Sequence, residues 1–195
     1  MEPDKKHRVC PVEHAGVLDF FFRRLLQNPR KILQPYVKEG MTALDLGCGP
    51  GFFTLEMARL AGNAGKVIAA DLQEGMLAIV RKKMQNSDMA DRVKLHLCRP
   101  EGIGLSEKCD FILVFYMLHE VPETLAFFKE IKALLKAGGK VLIVEPKWHV
   151  SQNDFLESIA ILKQAGFEVS AEPKIRFSRT IVIGNADARE PGKRL

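Results

Sequence analysis

Ala43-Leu44-Asp45-Leu46-Gly47-Cys48-Gly49-Pro50-Gly51-Phe52-Phe53-Thr54 is the stretch whose reading decides the fold. An apolar run containing one acid stops at three closely spaced glycines and restarts as Phe53, Leu55, Met57, Ala58 and Leu60. The pattern reads as strand, tight turn, helix. Glycines let such a turn take positive φ and let a ligand approach bare backbone. The first amides of the helix have no intrahelical partner and point back at the same spot.

A glycine turn alone is weak evidence, so its neighbours matter. Asp45 lies two residues before Gly47, at the end of the strand, where its carboxylate is expected beside a ligand pocket. A pyrophosphate would be repelled there. In the dinucleotide fingerprint G-x-G-x-x-G the third glycine falls where this chain has Phe52, so the turn suits a cationic ligand better than an anionic one. A second run, Lys66-Val67-Ile68-Ala69-Ala70-Asp71, ends in an acid about 20 residues after the turn, where a βαβ unit can grip both hydroxyls of a ribose. A glycine turn that merely lets helix and strand pack explains Gly51, but not Asp45 and Asp71 together.

At these residues the chain resembles the class I S-adenosylmethionine-dependent methyltransferases, whose first motif has the form (Asp/Glu)-x-Gly-x-Gly-x-Gly. The resemblance runs roughly from Gly40 to Ile183. It implies S-adenosylmethionine as cofactor, with Asp71 on the ribose and the Gly47, Cys48, Gly49 and Gly51 turn along the methionine portion. Asp45 would orient the turn and complement the positive end, and Leu72 and Met76 would sandwich the adenine. The family commonly carries an acid near the adenine amino group after the third strand. This chain reads Cys98-Arg99-Pro100-Glu101 there. Either Glu101 supplies that contact from a shifted position, or backbone groups around Cys98 and Arg99 do; Phe115 completes the expected cofactor set.

The rest of the chain reads as one α/β domain. A length of 195 residues suits a single core, and 47% apolar with 27% charged residues is the balance of an ordinary globule. No run approaches the ~20 apolar residues of a membrane span, and Met1-Glu2-Pro3-Asp4-Lys5-Lys6 lacks a signal-peptide core. A cytoplasmic protein is expected. Cys10, Cys48, Cys98 and Cys109 are scattered, without metal-site spacing, which predicts free thiols and no metal. Cys10 and Cys98 as ligands for a soft acceptor such as arsenite gain no support from their spacing. The net charge of +5 comes from short clusters rather than one basic face, against a nucleic-acid partner.

Apolar spacing predicts a helix over Glu13–Gln27 and a short one over Arg30–Tyr36, which together form a cap over residues 1–38. The Phe20-Phe21-Phe22 run in it fits plain packing better than a lid. Helices are then expected over 52–61, 74–84, 122–136 and from Ser151 to Gly166, with strands over 66–70, 92–97, 111–115 and 141–144. Arg92 to Leu97 alternates strictly. Phe111-Ile112-Leu113-Val114-Phe115 is apolar throughout, as in a central strand buried on both faces. Phe167–Val169 and Phe177–Ile183 have no helix between them and should form an antiparallel hairpin. The predicted fold is therefore a three-layer sandwich: a doubly wound, mostly parallel seven-stranded sheet with a C-terminal antiparallel hairpin, spanning 39–184, followed by a disordered tail over 185–195.

Ligands in such folds bind beyond the carboxyl ends of the strands. The loops Tyr116-Met117-Leu118-His119-Glu120-Val121-Pro122 and Glu145-Pro146-Lys147-Trp148-His149 therefore supply the acceptor-side candidates. Tyr116, His119 and Glu120 lead as catalytic candidates. Each has a plainer role: Tyr116 as packing, the His119–Glu120 pair as the shape of a turn, Lys147 as a solvated charge, Trp148 as a surface anchor. Methyltransferases acting on exocyclic amino groups of bases carry (Asp/Asn)-Pro-Pro-(Tyr/Phe) where this chain has Phe115-Tyr116-Met117-Leu118. A small-molecule acceptor is expected, with RNA methylation, a non-catalytic cofactor-binding module and a nicotinamide oxidoreductase as rivals.

Overall fold

The computed structural model describes residues 27–185 other than Asn86. Of the helix expected over Glu13–Gln27 only Gln27 is described, and it is not helical; the Phe20-Phe21-Phe22 run, Cys10 and most of the tail also lie outside the described residues. The elements are α1 (Pro29–Leu33), β1 (Thr42–Leu46), α2 (Thr54–Ala61), β2 (Lys66–Asp71), α3 (Glu74–Met84), β3 (Val93–Leu97), β4 (Cys109–Phe115), α4 (Thr124–Leu134), β5 (Leu135–Pro146), α5 (Gln152–Gln164), β6 (Phe167–Ala171) and β7 (Ser178–Asn185).

The seven strands form one sheet in the order β3-β2-β1-β4-β5-β7-β6. Pairing is parallel from β3 to β5 and antiparallel where β7 enters between β5 and β6. Strand alternation divides the core in two. Ala43, Phe111, Leu113 and Phe115 face one way, with Leu33, Met57, Leu77 and Val80 of α1, α2 and α3. Leu44, Leu46, Ile112 and Val114 face the other way, with Phe127, Phe128, Ile131, Phe155 and Leu162 of α4 and α5. That is the three-layer, doubly wound arrangement the apolar runs imply.

Local chemistry sets several boundaries that differ from the sequence expectation. Asn28 caps α1, its Oδ1 accepting Lys31 N–H at 3.1 Å, and the helix gives way to a turn after Leu33 instead of running to Tyr36. α2 begins at Thr54, not Phe52, with Phe53 as N-cap. Phe52 and Phe53 instead pack edge-on into the core, ring centroids 4.9 Å apart. α4 spans Thr124–Leu134 rather than 122–136, because Leu135 is extended, buried and paired with Cys109 of β4. The pairing then jumps to Phe111 opposite Lys140, with Gly138 at φ +73, so the residues expected to end a helix instead form an irregular start to a long strand. β3 starts at Val93, and its edge position leaves Leu97 48% exposed despite the alternating pattern. Asn185, expected in the tail, still pairs with Phe167. Ser151 does cap α5, in a reciprocal capping box with Asp154.

Candidate active site

Strand order reverses between β1 and β4, and the loops leaving these strands diverge there. A cleft of about 380 Å³ opens at that point, within the range of small-molecule sites. Its floor is the glycine turn. Gly47 N–H and Cys48 N–H both donate to Ala70 O, at 2.9 and 3.0 Å, so the turn hangs from the end of β2. Gly47, Gly49 and Gly51 take φ of +72, +51 and +82. At Gly47 a Cβ would stand 2.8 Å from Met117 Cγ, which shows why this position must be bare. At Gly49 a Cβ would meet nothing within 4 Å and would occupy cleft space instead.

Asp71 closes the turn from the other side. Its Oδ2 accepts Gly49 N–H and its Oδ1 accepts Gln73 N–H, both at 2.9 Å, so one carboxylate ties the glycine turn to the loop before α3. It is 7% exposed and lines the cleft. Burial raises its pKa, with the backbone donors to it pulling the other way. Backbone donors thus fix the position of a carboxylate at the cleft wall.

Asp45 is not placed as the sequence reading expected. It is 2% exposed, does not line the cleft, and its Oδ2 accepts Thr54 Oγ1–H at 2.6 Å beneath the start of α2. Alternation along β1 is the reason: with Leu44 and Leu46 turned to the α4 side, Asp45 must face α2. Desolvation pushes its pKa up to about 7, opposed by the Thr54 hydrogen bond. Asp45 therefore braces the turn from behind. Cys48 and Gly51 likewise lie outside the cleft wall.

The remaining cofactor candidates converge. Leu72, Met76, Cys98, Arg99, Glu101 and Phe115 all line the cleft, Met76 buried and Leu72 44% exposed. Arg99 and Gly102 exchange N–H to O bonds at 3.1 Å, forming a tight turn with exposed Glu101 near its tip. Among the wall residues that sequence reasoning did not single out is Glu130 of α4, whose Oε2 accepts Ile103 N–H at 2.8 Å and so holds that turn against the helix. Burial pushes the thiols of half-buried Cys98 and buried Cys109 up to about 12, against thiolate chemistry at either. Cys48, Cys98 and Cys109 are free thiols, and no cluster fit for a metal occurs among the described residues.

The catalytic candidates separate. Tyr116 and Glu120 line the cleft; His119 does not. Tyr116 sits at φ +58, its N–H donating to Val144 O at 2.8 Å. Its hydroxyl accepts Gln27 Nε2–H at 2.7 Å and lies 2.7 Å from Ser178 Oγ, so it is tied away from chemistry. Its ring continues an aromatic wall with Phe115, centroids 4.4 Å apart, and meets the edge of Trp148. Trp148 is 70% exposed, and neither it, Lys147 nor His149 lines the cleft. Glu145, expected on the acceptor side with the rest of its loop, is instead buried at the end of β5, and its Oε2 lies 2.6 Å from His119 Nδ1. Its only sequence signal is a lone charge closing the apolar run from Val141.

Comparison with known proteins agrees with this geometry. Residues 37–175 match a protein family described as a methyltransferase domain. The chain is 33% identical over 109 residues to a demethylmenaquinone methyltransferase of Bacillus velezensis, a match covering 56% of this chain and 47% of that protein. It is 32% identical over 110 residues to the ubiquinone/menaquinone biosynthesis C-methyltransferase UbiE of Escherichia fergusonii, covering 56% and 44%. These matches span about half the length of the curated relatives. A solved S-adenosylmethionine-dependent methyltransferase from Aquifex aeolicus superposes with a TM-score of 0.80 at 27% identity, covering 90% of this chain and 98% of that one. The [4+2]-cyclase SpnF shares the fold at a TM-score of 0.61 and 23% identity, covering 78% of this chain and 60% of that one.

Proposed function

The chain belongs to the methyltransferase domain family, and from that membership we propose that it transfers the methyl group of S-adenosylmethionine to a small organic acceptor. The single observation that carries the reading is Asp71: a buried carboxylate locked by Gly49 and Gln73 and still open to the cleft. In this reading it takes the ribose hydroxyls, Leu72 and Met76 flank the adenine, and the bare backbone at Gly47 and Gly49 runs beside the methionine portion. Glu101 and the Cys98–Arg99 backbone supply the adenine contacts, with Phe115 beneath. Bound S-adenosylmethionine supplies an activated methyl group. The protein then has to hold the acceptor's electron pair in line with it, and such positioning contributes ~7 to 11 kcal/mol. No strong nucleophile is needed, which agrees with the tied hydroxyl of Tyr116 and the inert thiols.

The wall chemistry favours a small acceptor over RNA. Among the described residues that line the cleft, Asp71, Glu101, Glu120, Glu123 and Glu130 are acidic and Arg99 alone is basic. Phosphate-backbone binding needs the opposite sign. The free thiols at Cys48, Cys98 and Cys109 support a reducing, cytoplasmic setting. Among the described residues no helix is long and apolar enough to cross a membrane. The test is a screen of metabolites against the protein saturated with S-adenosylhomocysteine, read by thermal shift. An acceptor at 100 times its dissociation constant adds ~2.7 kcal/mol of stability. Hits should be small organic molecules that yield S-adenosylhomocysteine when mixed with S-adenosylmethionine and enzyme; salt-sensitive RNA binding in their place would reverse the reading.

A further inference from the structure

Two adjoining turns hold the exposed tryptophan and phenylalanine of the described residues. The first follows β5: His149 N–H and Val150 N–H both donate to Pro146 O, at 3.2 and 2.9 Å, and Lys147, Trp148 and His149 stand exposed on the turn so formed. The second precedes β7: Ser178 N–H donates to Ile175 O at 3.1 Å, which makes Arg176 and Phe177 the central pair of a four-residue turn. The two turns are stitched together. Lys147 N–H donates to Phe177 O at 3.0 Å, and Pro146 pairs with Ser178. Arg179 donates through Nε to Val150 O at 3.0 Å and through its guanidinium to Gln152 Oε1. On this platform Trp148 is 70% exposed and Phe177 47%.

Phe177 is held there under strain. Its φ is +60, at the third residue of a turn, a place that glycine or asparagine usually fills. Turn geometry therefore does not account for the ring, and its exposure shows that core packing does not either. Cations accompany the two aromatics. The Arg176 guanidinium lies 4.7 Å from the Phe177 centroid, and Lys147 and Lys174 are exposed in the same two loops. Residues 146–151 and 173–179 contain no acid; Glu172 lies just before them, and Asp154 of α5 is engaged with Ser151. Exposed aromatic rings beside lysine and arginine suit a lipid surface, where rings settle at the headgroup level and cations meet anionic headgroups. A second copy docked about a two-fold axis would set Lys147 and Arg176 near their own counterparts. Single-stranded RNA needs a basic groove along which bases stack, whereas these rings stand on two turn tips.

We propose that the two turns form a docking surface for an anionic lipid bilayer, on which the protein lies without spanning it. Lys147, Trp148, Arg176 and Phe177 do not line the cleft, so the inference goes beyond the methyltransferase reading and does not depend on it. Tyr116 joins the two regions: it lines the cleft and meets the Trp148 ring at 5.5 Å, so docking brings the edge of the cleft toward the headgroups.

Trp148 is the only tryptophan of the chain, and its fluorescence therefore reports the contact directly. The full-length protein is titrated with vesicles of phosphatidylcholine, alone or mixed with phosphatidylglycerol. The anionic vesicles should carry the protein down on sedimentation and shift its emission to the blue, both effects weakening with added salt, and brominated lipid should quench it. Phe177→Asn, which also suits the backbone, and Arg176→Glu should each weaken vesicle binding about tenfold without lowering the melting temperature. Lys163→Glu, the same change of charge at the other end of α5, should leave binding within about twofold of the wild type. No binding to anionic vesicles, an unshifted emission, undiminished binding by Phe177→Asn, or an equal loss with Lys163→Glu would overturn the proposal. So would a blue shift obtained without lipid, whether by raising the protein concentration or by adding oligouridylate, which would assign the surface to a second copy or to RNA.

Discussion

Asp71 and His119 show how differently two residues can declare themselves. Asp71 was legible from the sequence because an acid closing an apolar run about 20 residues after a glycine turn has one geometric meaning in a βαβ unit. Replacing it with alanine removes the proposed ribose acceptor and also orphans Gly49 N–H. S-adenosylmethionine affinity should then fall about tenfold to a hundredfold, checked by calorimetry, and an unchanged affinity would remove the assignment. His119 was visible as a residue but not as an ion pair, since its partner Glu145 lies 26 positions away and nothing in either loop says that the two meet. Its folded pKa is raised, so the folded state holds the proton more tightly than the unfolded chain does. The resulting stability is fully present below the ordinary value of 6.5 and is lost as pH rises through the higher folded value. His119→Asn should therefore cost about 3 kcal/mol in denaturant titrations at pH ~6, where it strands the buried Glu145, and distinctly less at pH ~9. A loss independent of pH would mean that the pair is not ionic.

Among the elements, the strand–turn–helix over β1 and α2 was the most readable because three glycines in five residues leave few alternatives. Gly47→Ala combines φ +72 with a 2.8 Å approach to Met117, so it should destabilise the protein by about 1 to 2 kcal/mol and weaken cofactor binding as the turn shifts. Wild-type melting and binding in this variant would show that the turn tolerates a side chain. The start of α5 was equally plain, and Ser151→Ala should cost about 1 kcal/mol by thermal melt, with cofactor affinity unchanged. The boundary between α4 and β5 was not readable. Lys132 to Lys136 is good helix-forming sequence, but Leu135 is worth more buried against β4 than in another half-turn of helix, and only the sheet register reveals this. Asp45 was misplaced for a related reason: its presence near the turn follows from sequence, whereas the face it takes depends on which side of β1 each helix layer covers.

For the whole molecule, the sheet order β3-β2-β1-β4-β5-β7-β6 brings distant loops to one edge of the strands. Parallel apolar runs separated by helices, then two strands with no helix between them, made that architecture legible. What composition concealed is the uneven spread of charge, a chain of net +5 with an acid-lined cleft, because Glu120, Glu123 and Glu130 come to one wall from the turn after β4 and from α4. The cleft between β1 and β4 is claimed as the seat of S-adenosylmethionine, gripped by Asp71. Calorimetric titration of S-adenosylhomocysteine into the wild-type protein and Asp71→Ala, with NADH as competitor, tests that most directly. One saturable site in the wild type, weakened about tenfold or more by the substitution and indifferent to NADH, is the predicted result. No binding of S-adenosylhomocysteine, or its displacement by NADH, would contradict it.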